Sequence, residues 1–220
     1  MDSKDIQYIN EGFPLAIVDN YYTPEELSLV WEELDFLTYK SKLDPPEHTG
    51  SALNEEGKNA KQNFGIFLDS LYSKREISNI MTINSESIMR SWNDIMVVSH
   101  NEKDWFFREI SKEWLKSNTM LMSYYEDEDY YEAHRDCAVI TVLHWLYREP
   151  KRFKGGDLIF PDYTDNNDNP MGVEVVNNRT ILFPSCITHQ VIPVIMEEKY
   201  KNQKLGRYCI TQFLHYRSLE

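Results

Sequence analysis

The pattern of apolar residues changes near Thr119, and this change limits the folds that the chain can adopt. Before Thr119 apolar residues recur at helical spacing, whereas after it short β-branched segments alternate with turns. About seven or eight such segments follow one another. Helices followed by strands predict an α+β chain, mainly β, in which a double-stranded β-helix (jelly roll) is supported by N-terminal helices. We expect one domain over 1–220, with support in 1–118 and the β core in 119–217.

The N-terminal part contains a predicted strand, FPLAIVDN, and then a helix. The helix is predicted to start at Thr23-Pro24-Glu25-Glu26, which is a capping-box sequence with proline at the first helical position. Apolar residues then recur at helical spacing, at Leu27, Val30, Trp31, Leu34 and Leu37. A further helix is predicted over 104–116.

Residues 41–63 show no periodicity and contain Pro45-Pro46, Gly50 and Gly57. Such a segment exceeds the roughly 12 to 15 residues that are usual for loops in compact domains. Two interpretations remain open for it, a lid over a substrate site and plain disorder.

The charge balance indicates which partners to expect. The chain has 23 Lys and Arg against 36 Asp and Glu, a formal net charge of −13. Binding to nucleic acid or to an anionic membrane needs a basic face, so neither partner is expected. The first ten residues are polar and the longest apolar run, AVITVLHWLY, is too short to span a bilayer. We therefore expect a cytoplasmic protein; the sequence does not indicate its oligomeric state.

Three residues form a candidate metal site. His134 and Asp136 are two positions apart beside the β-branched segment CAVITVL, and side chains at i and i+2 of a strand share a face. His189 lies in a second strand-like segment, ILFPSCITHQVIPV. Two histidines and one carboxylate that leave open coordination positions are the ligand set of non-haem Fe(II) oxygenases.

The surrounding motifs resemble the 2-oxoglutarate- and Fe(II)-dependent dioxygenases, in their prolyl 4-hydroxylase-like branch, from about Met120 to Tyr216. The motifs are, in order, a tyrosine-containing strand before YEAHRD, a hydrophobic strand, the GGDL turn, LFPSCITHQVIPV and RYCIT. The resemblance implies that Fe(II) binds His134, Asp136 and His189, which would be the catalytic centre. It also implies the cosubstrates 2-oxoglutarate and O2, with ascorbate (vitamin C) as a candidate additional cofactor.

The resemblance further implies that Arg207 pairs with the distal carboxylate of 2-oxoglutarate. A guanidinium suits this role because its planar fork matches a carboxylate and stays charged in an apolar pocket. Lys199 is the alternative anchor, since it lies closer to His189 in sequence; Arg207 is preferred because it opens an apolar strand. Either Tyr124 or Tyr125 would hydrogen-bond the same carboxylate, and we favour Tyr124.

Four other residues are candidates for the same pocket. Trp145 and Thr211 are expected to bind the cosubstrate. Tyr131 is a candidate contact of the substrate or of the metal ligands. His144 is a second candidate substrate contact, because it is an even number of residues from Asp136 and would share its face in a continuous strand.

The predicted function is hydroxylation of an unactivated C–H bond, with release of succinate and CO2. The expected partner is a prolyl residue in a peptide, a free amino acid or another small metabolite. Two alternatives are a non-catalytic, cupin-like metal-binding or interaction module and a cupin enzyme that uses another metal. Arg207 distinguishes them, because only the dioxygenase needs it to bind 2-oxoglutarate.

Overall fold

A computed structural model describes residues 6–39, 42–54, 56–101, 106–109, 117–164 and 169–215. The helices are α1 (Pro24–Tyr39), α2 (Leu68–Leu71), α3 (Asn79–Asn101) and α4 (Phe106–Glu109). The strands are β1 (Ile6–Ile9), β2 (Leu15–Val18), β3 (Lys61–Gln62), β4 (Phe64–Phe67), β5 (Asn118–Tyr125), β6 (Tyr130–His134), β7 (Ile140–Leu146), β8 (Phe153–Gly155), β9 (Leu158–Thr164), β10 (Pro170–Val173), β11 (Arg179–Pro184), β12 (His189–Val191), β13 (Val194–Met196) and β14 (Arg207–Leu214).

Two antiparallel sheets make up the β core. The large sheet has seven strands in the order β1-β2-β11-β7-β14-β5-β4, and the small sheet has five in the order β10-β9-β12-β6-β3. Strands β13 and β8 form a separate pair. The predicted jelly roll with helical support is confirmed. The N-terminal part does more than support it, because it adds β1, β2 and β4 to the large sheet and β3 to the small one.

The large sheet separates two hydrophobic cores because its side chains alternate between faces. On β7, Val142 and Leu146 pack in the core with the helices, whereas Leu143 and Trp145 pack in the core with residues of the small sheet. The same alternation on β11 sends Leu182 to the helices and Ile181 to the other core. The second core is therefore the interior of the jelly roll, and its mouth holds the candidate site.

Helix α1 starts as the sequence predicts. The Thr23 N–H donates to Glu26 Oε2 at 2.9 Å, and the Glu26 N–H donates to Thr23 Oγ1 at 3.2 Å, which is a complete capping box. Helix α1 packs against α3, and both bury apolar side chains against the large sheet. The helix predicted over 104–116 is described only at α4, and the rest of it lies outside the described residues.

The described part of 41–63 is tied to the edges of both sheets, at β4 of the large sheet and β3 of the small sheet. Its strand β3 pairs with β6, and a bridge joins Asp44 to Gly65. The Ala52 N–H also donates to the Tyr131 hydroxyl at 3.2 Å. This segment therefore covers one side of the jelly-roll mouth. Within the described ranges, no helix is long and apolar enough to cross a membrane.

Candidate metal and cosubstrate site

Two strand ends and one loop bring the three predicted ligands together. His134 is the last residue of β6, and His189 is the first of β12; the two lie opposite each other in the pairing register. Asp136 is not in a strand, contrary to the i, i+2 argument, because β6 ends at His134. Its backbone N–H donates instead to the Ser185 carbonyl at 3.0 Å. The carboxylate thus reaches the histidines from a loop held against the end of β11.

The side chains converge closely enough to share one ion. Nε2 of His134 lies 3.7 Å from Asp136 Oδ1, and Nε2 of His189 lies 3.4 Å from Asp136 Oδ2. One ligand atom from each residue lies within 4.8 Å of the other two. Two imidazoles and one carboxylate supply three ligand atoms, so a metal ion held by them would keep open coordination positions, as the ligand set of a non-haem Fe(II) site requires.

Hydrogen bonds fix both imidazoles in the tautomer that binds metal through Nε2. Nδ1 of His134 lies 2.8 Å from the Glu132 carbonyl, and Nδ1 of His189 lies 2.9 Å from the Ile187 carbonyl. A carbonyl only accepts, so each Nδ1 carries the proton and each Nε2 keeps a lone pair. Burial, and then the neighbouring His189, lowers the pKa of His134 to about 4. At neutral pH the ring is therefore uncharged and can act as a ligand.

The Asp136 carboxylate is positioned from the large sheet. The Thr141 hydroxyl donates to Asp136 Oδ2 at 2.6 Å and lies 2.9 Å from the Ser185 hydroxyl. Because the proton of Thr141 goes to the carboxylate, Ser185 donates to Thr141. Such groups behind a ligand orient it and tune the metal. Thr141 and Ser185 were not singled out from the sequence, where no pattern connects them with Asp136.

A cavity of about 80 Å³ adjoins these ligands. Its walls include the apolar side chains Leu121, Leu143, Leu158 and Val191. Among the described residues that line it, the charged side chains other than the histidines are Arg207, Lys61 and Asp136. The cavity therefore combines the candidate metal ligands with two cations.

Arg207 is the first residue of β14 and is 1% exposed. Its guanidinium carbon lies 4.7 Å from the centre of the Tyr125 ring and 5.5 Å from that of Trp145. None of its three side-chain nitrogens has a hydrogen-bond partner within the described part of the chain. A buried cation with unused donors is costly unless a ligand pairs with it, so the site fits the distal carboxylate of 2-oxoglutarate.

The position of the two tyrosines corrects the preference for Tyr124. Tyr125, opposite Arg207 in the sheet register, lines the cavity. Tyr124 faces the helices, where its hydroxyl donates to Glu126 Oε2 at 2.7 Å and accepts from the Gly206 N–H at 3.0 Å. Alternation along β5 allows only one of the two to face inward, and that residue is Tyr125. Burial raises the pKa of Tyr125 above its usual value, so its hydroxyl can donate a hydrogen bond.

Lys199 does not enter the cavity. Its side chain is 61% exposed, and its ammonium pairs with Glu197 at 2.8 Å. The residues between His189 and Arg207 form β13, a short 3-10 helix and a turn at the surface. Lys199 is therefore too far from the cavity to be the anchor. The residues between His189 and Arg207 turn outward to the surface, and the chain returns to the cavity at Arg207, where β14 begins.

His144 also lies away from the site. It is buried on the helical face of β7, with Nδ1 2.8 Å from Thr180 Oγ1 and its ring 4.9 Å from that of Tyr21. The shared parity of Asp136 and His144 does not place them on one face, because residues 135–139 are not a strand and the alternation of side chains is interrupted there. Thr141 is the β7 residue that meets Asp136.

The remaining candidates lie at the site. Thr211 lines the cavity, and Trp145 lies beside Arg207 in the interior core. Tyr131 stacks on His134, with ring centres 3.5 Å apart and an angle of 13°. Lys61, which also lines the cavity, was not predicted, because it belongs to the irregular segment before β4 and has no motif around it.

Comparisons with known proteins agree with this geometry. The family model described as the 2OG-Fe(II) oxygenase superfamily matches residues 119–215, which contain the three candidate ligands and Arg207. The expected resemblance to that superfamily is confirmed. Comparison with curated proteins finds no significant match.

Solved structures of 2OG-Fe(II) oxygenases share the fold at low sequence identity. A Pseudomonas putida prolyl-4-hydroxylase is 12% identical with a TM-score of 0.56, covering 94% of this chain and 95% of that one. A Trichoplax adhaerens prolyl hydroxylase in complex with a hypoxia-inducible factor peptide is 13% identical with a TM-score of 0.56, over 94% and 84%. An oxidoreductase of this family from Burkholderia pseudomallei is 11% identical with a TM-score of 0.57, over 90% and 84%.

Proposed function

We propose that this protein is a 2-oxoglutarate- and Fe(II)-dependent dioxygenase that hydroxylates an unactivated C–H bond. One observation carries the proposal: Arg207, a buried arginine without a hydrogen-bond partner among the described residues, lines the same cavity as His134, Asp136 and His189. A site that only bound a metal would need no such arginine. When bound, Fe(II) and 2-oxoglutarate would supply the activation of O2 that inserts one oxygen atom into the C–H bond, with succinate and CO2 as products.

Each residue of the cavity has a proposed role. The Nε2 atoms of His134 and His189 and the carboxylate of Asp136 hold Fe(II), and Thr141 orients the carboxylate. Arg207 would pair with the distal carboxylate of 2-oxoglutarate. The Tyr125 hydroxyl would donate to the same carboxylate, and Thr211 lines the cavity beside it.

The surroundings of Arg207 strengthen the proposed ion pair. The indole of Trp145 and the ring of Tyr125 flank the guanidinium and exclude water from it. Charge-assisted hydrogen bonds are stronger where water is excluded, because the local dielectric constant is low. The leucine and valine side chains that line the cavity likewise exclude water from the candidate metal ligands.

The proposed acceptor is a prolyl residue in a peptide, a free amino acid or another small metabolite. The Pseudomonas putida and Trichoplax adhaerens structures, which share the fold, are prolyl hydroxylases, and the second is in complex with a peptide, which supports the prolyl option. We further propose a cytoplasmic enzyme without nucleic-acid or membrane partners, consistent with the net charge of −13, and ascorbate as an optional reductant.

An anaerobic titration tests the proposal without knowledge of the acceptor. Fe(II) and 2-oxoglutarate are added to the metal-free protein, and the weak visible charge-transfer band of the keto-acid chelate is followed. We expect the band in the wild-type protein and in Lys199→Ala, and at least about a tenfold loss of 2-oxoglutarate affinity in Arg207→Ala. No band in folded, metal-loaded protein would contradict the proposal and favour a non-catalytic metal module or an enzyme with another metal.

A further inference from the structure

Lys61 is a second buried cation in the cavity, and the metal and 2-oxoglutarate sites do not account for it. It lies on β3, the edge strand of the small sheet, and is 3% exposed. Arg207 lies on β14 of the large sheet, so the two cations enter the cavity from opposite sheets. An arginine that binds the distal carboxylate of 2-oxoglutarate leaves Lys61 free for a different anion.

The ammonium of Lys61 has donors to spare. It donates to the Thr49 carbonyl at 2.9 Å and lies 5.3 Å from the centre of the Tyr131 ring. No ion pair joins it to a carboxylate within the described ranges. An ammonium has three N–H groups, so two remain for a ligand. Burial lowers the pKa of Lys61 to about 8, which still leaves most of the side chain charged at neutral pH.

The cavity places Lys61 near the reacting centre. Tyr131 is near both Lys61 and His134: its ring stacks on the imidazole, and the ring centre lies 5.3 Å from the ammonium. Lys61, His134 and Asp136 all line the same cavity. An anion held by Lys61 would therefore lie beside the metal ligands, where the carbon to be oxidised must also lie.

The chain above Lys61 limits the size of the molecule that reaches it. Thr49 accepts from the Lys61 ammonium, and Ala52 is hydrogen-bonded to Tyr131, so residues 49–52 are tied across this side of the mouth. An anionic group that pairs with Lys61 would therefore share the cavity of about 80 Å³ with the reactive carbon, which favours a small acceptor.

We propose that Lys61 binds a carboxylate of the acceptor, and that the acceptor is a small carboxylate-bearing molecule, such as a free amino acid. This inference rests on the proposed dioxygenase function and narrows its acceptor class. A charge-assisted hydrogen bond between ammonium and carboxylate selects an acid over its amide, because the amide cannot neutralise the buried cation.

The test uses acetate and acetamide as matched probes of carboxylate recognition. Each is titrated anaerobically into protein loaded with Fe(II) and 2-oxoglutarate, and the change in the charge-transfer band gives its affinity. Four proteins are compared: wild type, Lys61→Met, Lys61→Arg and Lys58→Met. Lys58 is a suitable control because it belongs to the same segment but is exposed and paired with Glu56.

We expect acetate to bind the wild-type protein and Lys58→Met in preference to acetamide. In Lys61→Met, which keeps the length of the apolar stem, acetate affinity should fall about tenfold or more while 2-oxoglutarate affinity is unchanged. Lys61→Arg should retain part of the preference for acetate. The same series with free amino acids and their amides, followed by succinate formation, should rank the acids first.

Three results would overturn the inference. The first is no acetate binding, or equal binding in wild type and Lys61→Met. The second is a loss of 2-oxoglutarate affinity in Lys61→Met, which would assign Lys61 to the cosubstrate. The third is an unchanged ratio of acetate to acetamide affinity in Lys61→Met, together with a lower melting temperature and faster proteolysis of residues 42–63. That result would give Lys61 a purely structural role, through its hydrogen bond to Thr49. Absence of the band in wild type would instead refute the dioxygenase proposal, and this inference with it.

Discussion

The two sheets of the jelly roll differ in regularity, and the difference matches what each contributes to the site. In the large sheet, β5 and β14 are eight residues long and pair without interruption from Arg207 to Leu214. In the small sheet, the register between β12 and β6 shifts just after His189, and β6 ends at His134. The regular sheet thus fixes the candidate cosubstrate anchor in place. In the irregular sheet, β6 ends and β12 begins at the site, so His134 and His189 come together from separate segments of the chain.

If the strand ends of the small sheet supply the two histidine ligands, removing one of these histidines should have the largest effect. We expect His189→Ala to lower Fe(II) affinity by more than about 100-fold and to abolish succinate formation, because losing a group behind a ligand already costs about 10- to 100-fold. The exposed His48 provides the control, His48→Ala. Isothermal titration with Fe(II) under anaerobic conditions measures the effect. Equal affinities in the two variants would remove His189 from the ligand set.

A second change tests whether the large sheet also reaches the metal. The Thr141 hydroxyl on β7 donates to Asp136, so Thr141→Val should lower Fe(II) affinity about 10- to 100-fold. The position of Arg207 should not change. Ser185 contacts Thr141 and not the carboxylate through its side chain, so Ser185→Ala should lower Fe(II) affinity less than Thr141→Val does. The same Fe(II) titration provides both values. If Thr141→Val matched the wild type, the carboxylate would be positioned by its loop alone.

A third change tests the packing around the cosubstrate anchor. Gly156 has φ +71°, and a Cβ there would lie 3.0 Å from both Arg207 Cδ and Val194 Cγ2. Gly156→Ala should displace the guanidinium, lower 2-oxoglutarate affinity several-fold and destabilise the fold by about 1 kcal/mol or more.

Gly57→Ala is the matched control for this change. Gly57 has a similar φ of +73° but nothing within 4 Å of an added Cβ, so the backbone strain is present without the clash. The chelate band gives the affinity, and thermal unfolding gives the stability. If both alanine variants bind 2-oxoglutarate as the wild type does, close packing of Gly156 is not needed to hold Arg207.

The smallest effect on the candidate site is expected at the turn that joins the two sheets, between β5 and β6. Burial raises the pKa of Asp129 to about 7, and its carboxylate accepts from the Glu126 N–H at 2.8 Å. The folded pKa lies above the unfolded value of about 3.9, so the folded state binds more protons between these values and the free energy of unfolding falls as pH rises from about 4 to about 7.

Asp129→Asn should flatten this pH dependence, since the amide oxygen keeps the hydrogen bond and does not ionise. The slope for one group is at most about 1.4 kcal/mol per pH unit. Urea unfolding at several pH values measures it. A slope unchanged by the substitution would show that Asp129 ionises normally in the folded state.

The regular parts of the molecule were predictable from sequence because local patterns control them. The capping box at Thr23 and Glu26 is confirmed, and the series of short β-branched segments and turns after Thr119 predicts the jelly roll correctly. The three candidate ligands were also found, because their motifs span only short stretches of chain. Their roles stay predictions until the metal titration is done.

The errors arose where register or distant contacts decide the outcome. The direction of the His144 side chain cannot be predicted from that of Asp136, because residues 135–139 form a loop that interrupts the alternation of side chains between faces. The choice of Tyr124 over Tyr125 depended on pairing with Arg207, which lies on a strand more than eighty residues away. Lys61 gave no local signal, since only the pairing of β3 with β6 brings it to the cavity.

The position of Asp136 outside the sheets bears on how such a protein can change over evolution. Its backbone hydrogen bond to Ser185 does not depend on the side chain, and no strand pairing passes through it. A smaller residue at this position would keep that backbone hydrogen bond and the strand pairing, and it would lose the side-chain bond from Thr141. Of the three candidate ligands, Asp136 is therefore the one that can be replaced without altering a strand, so this position can vary during evolution while both sheets stay as they are.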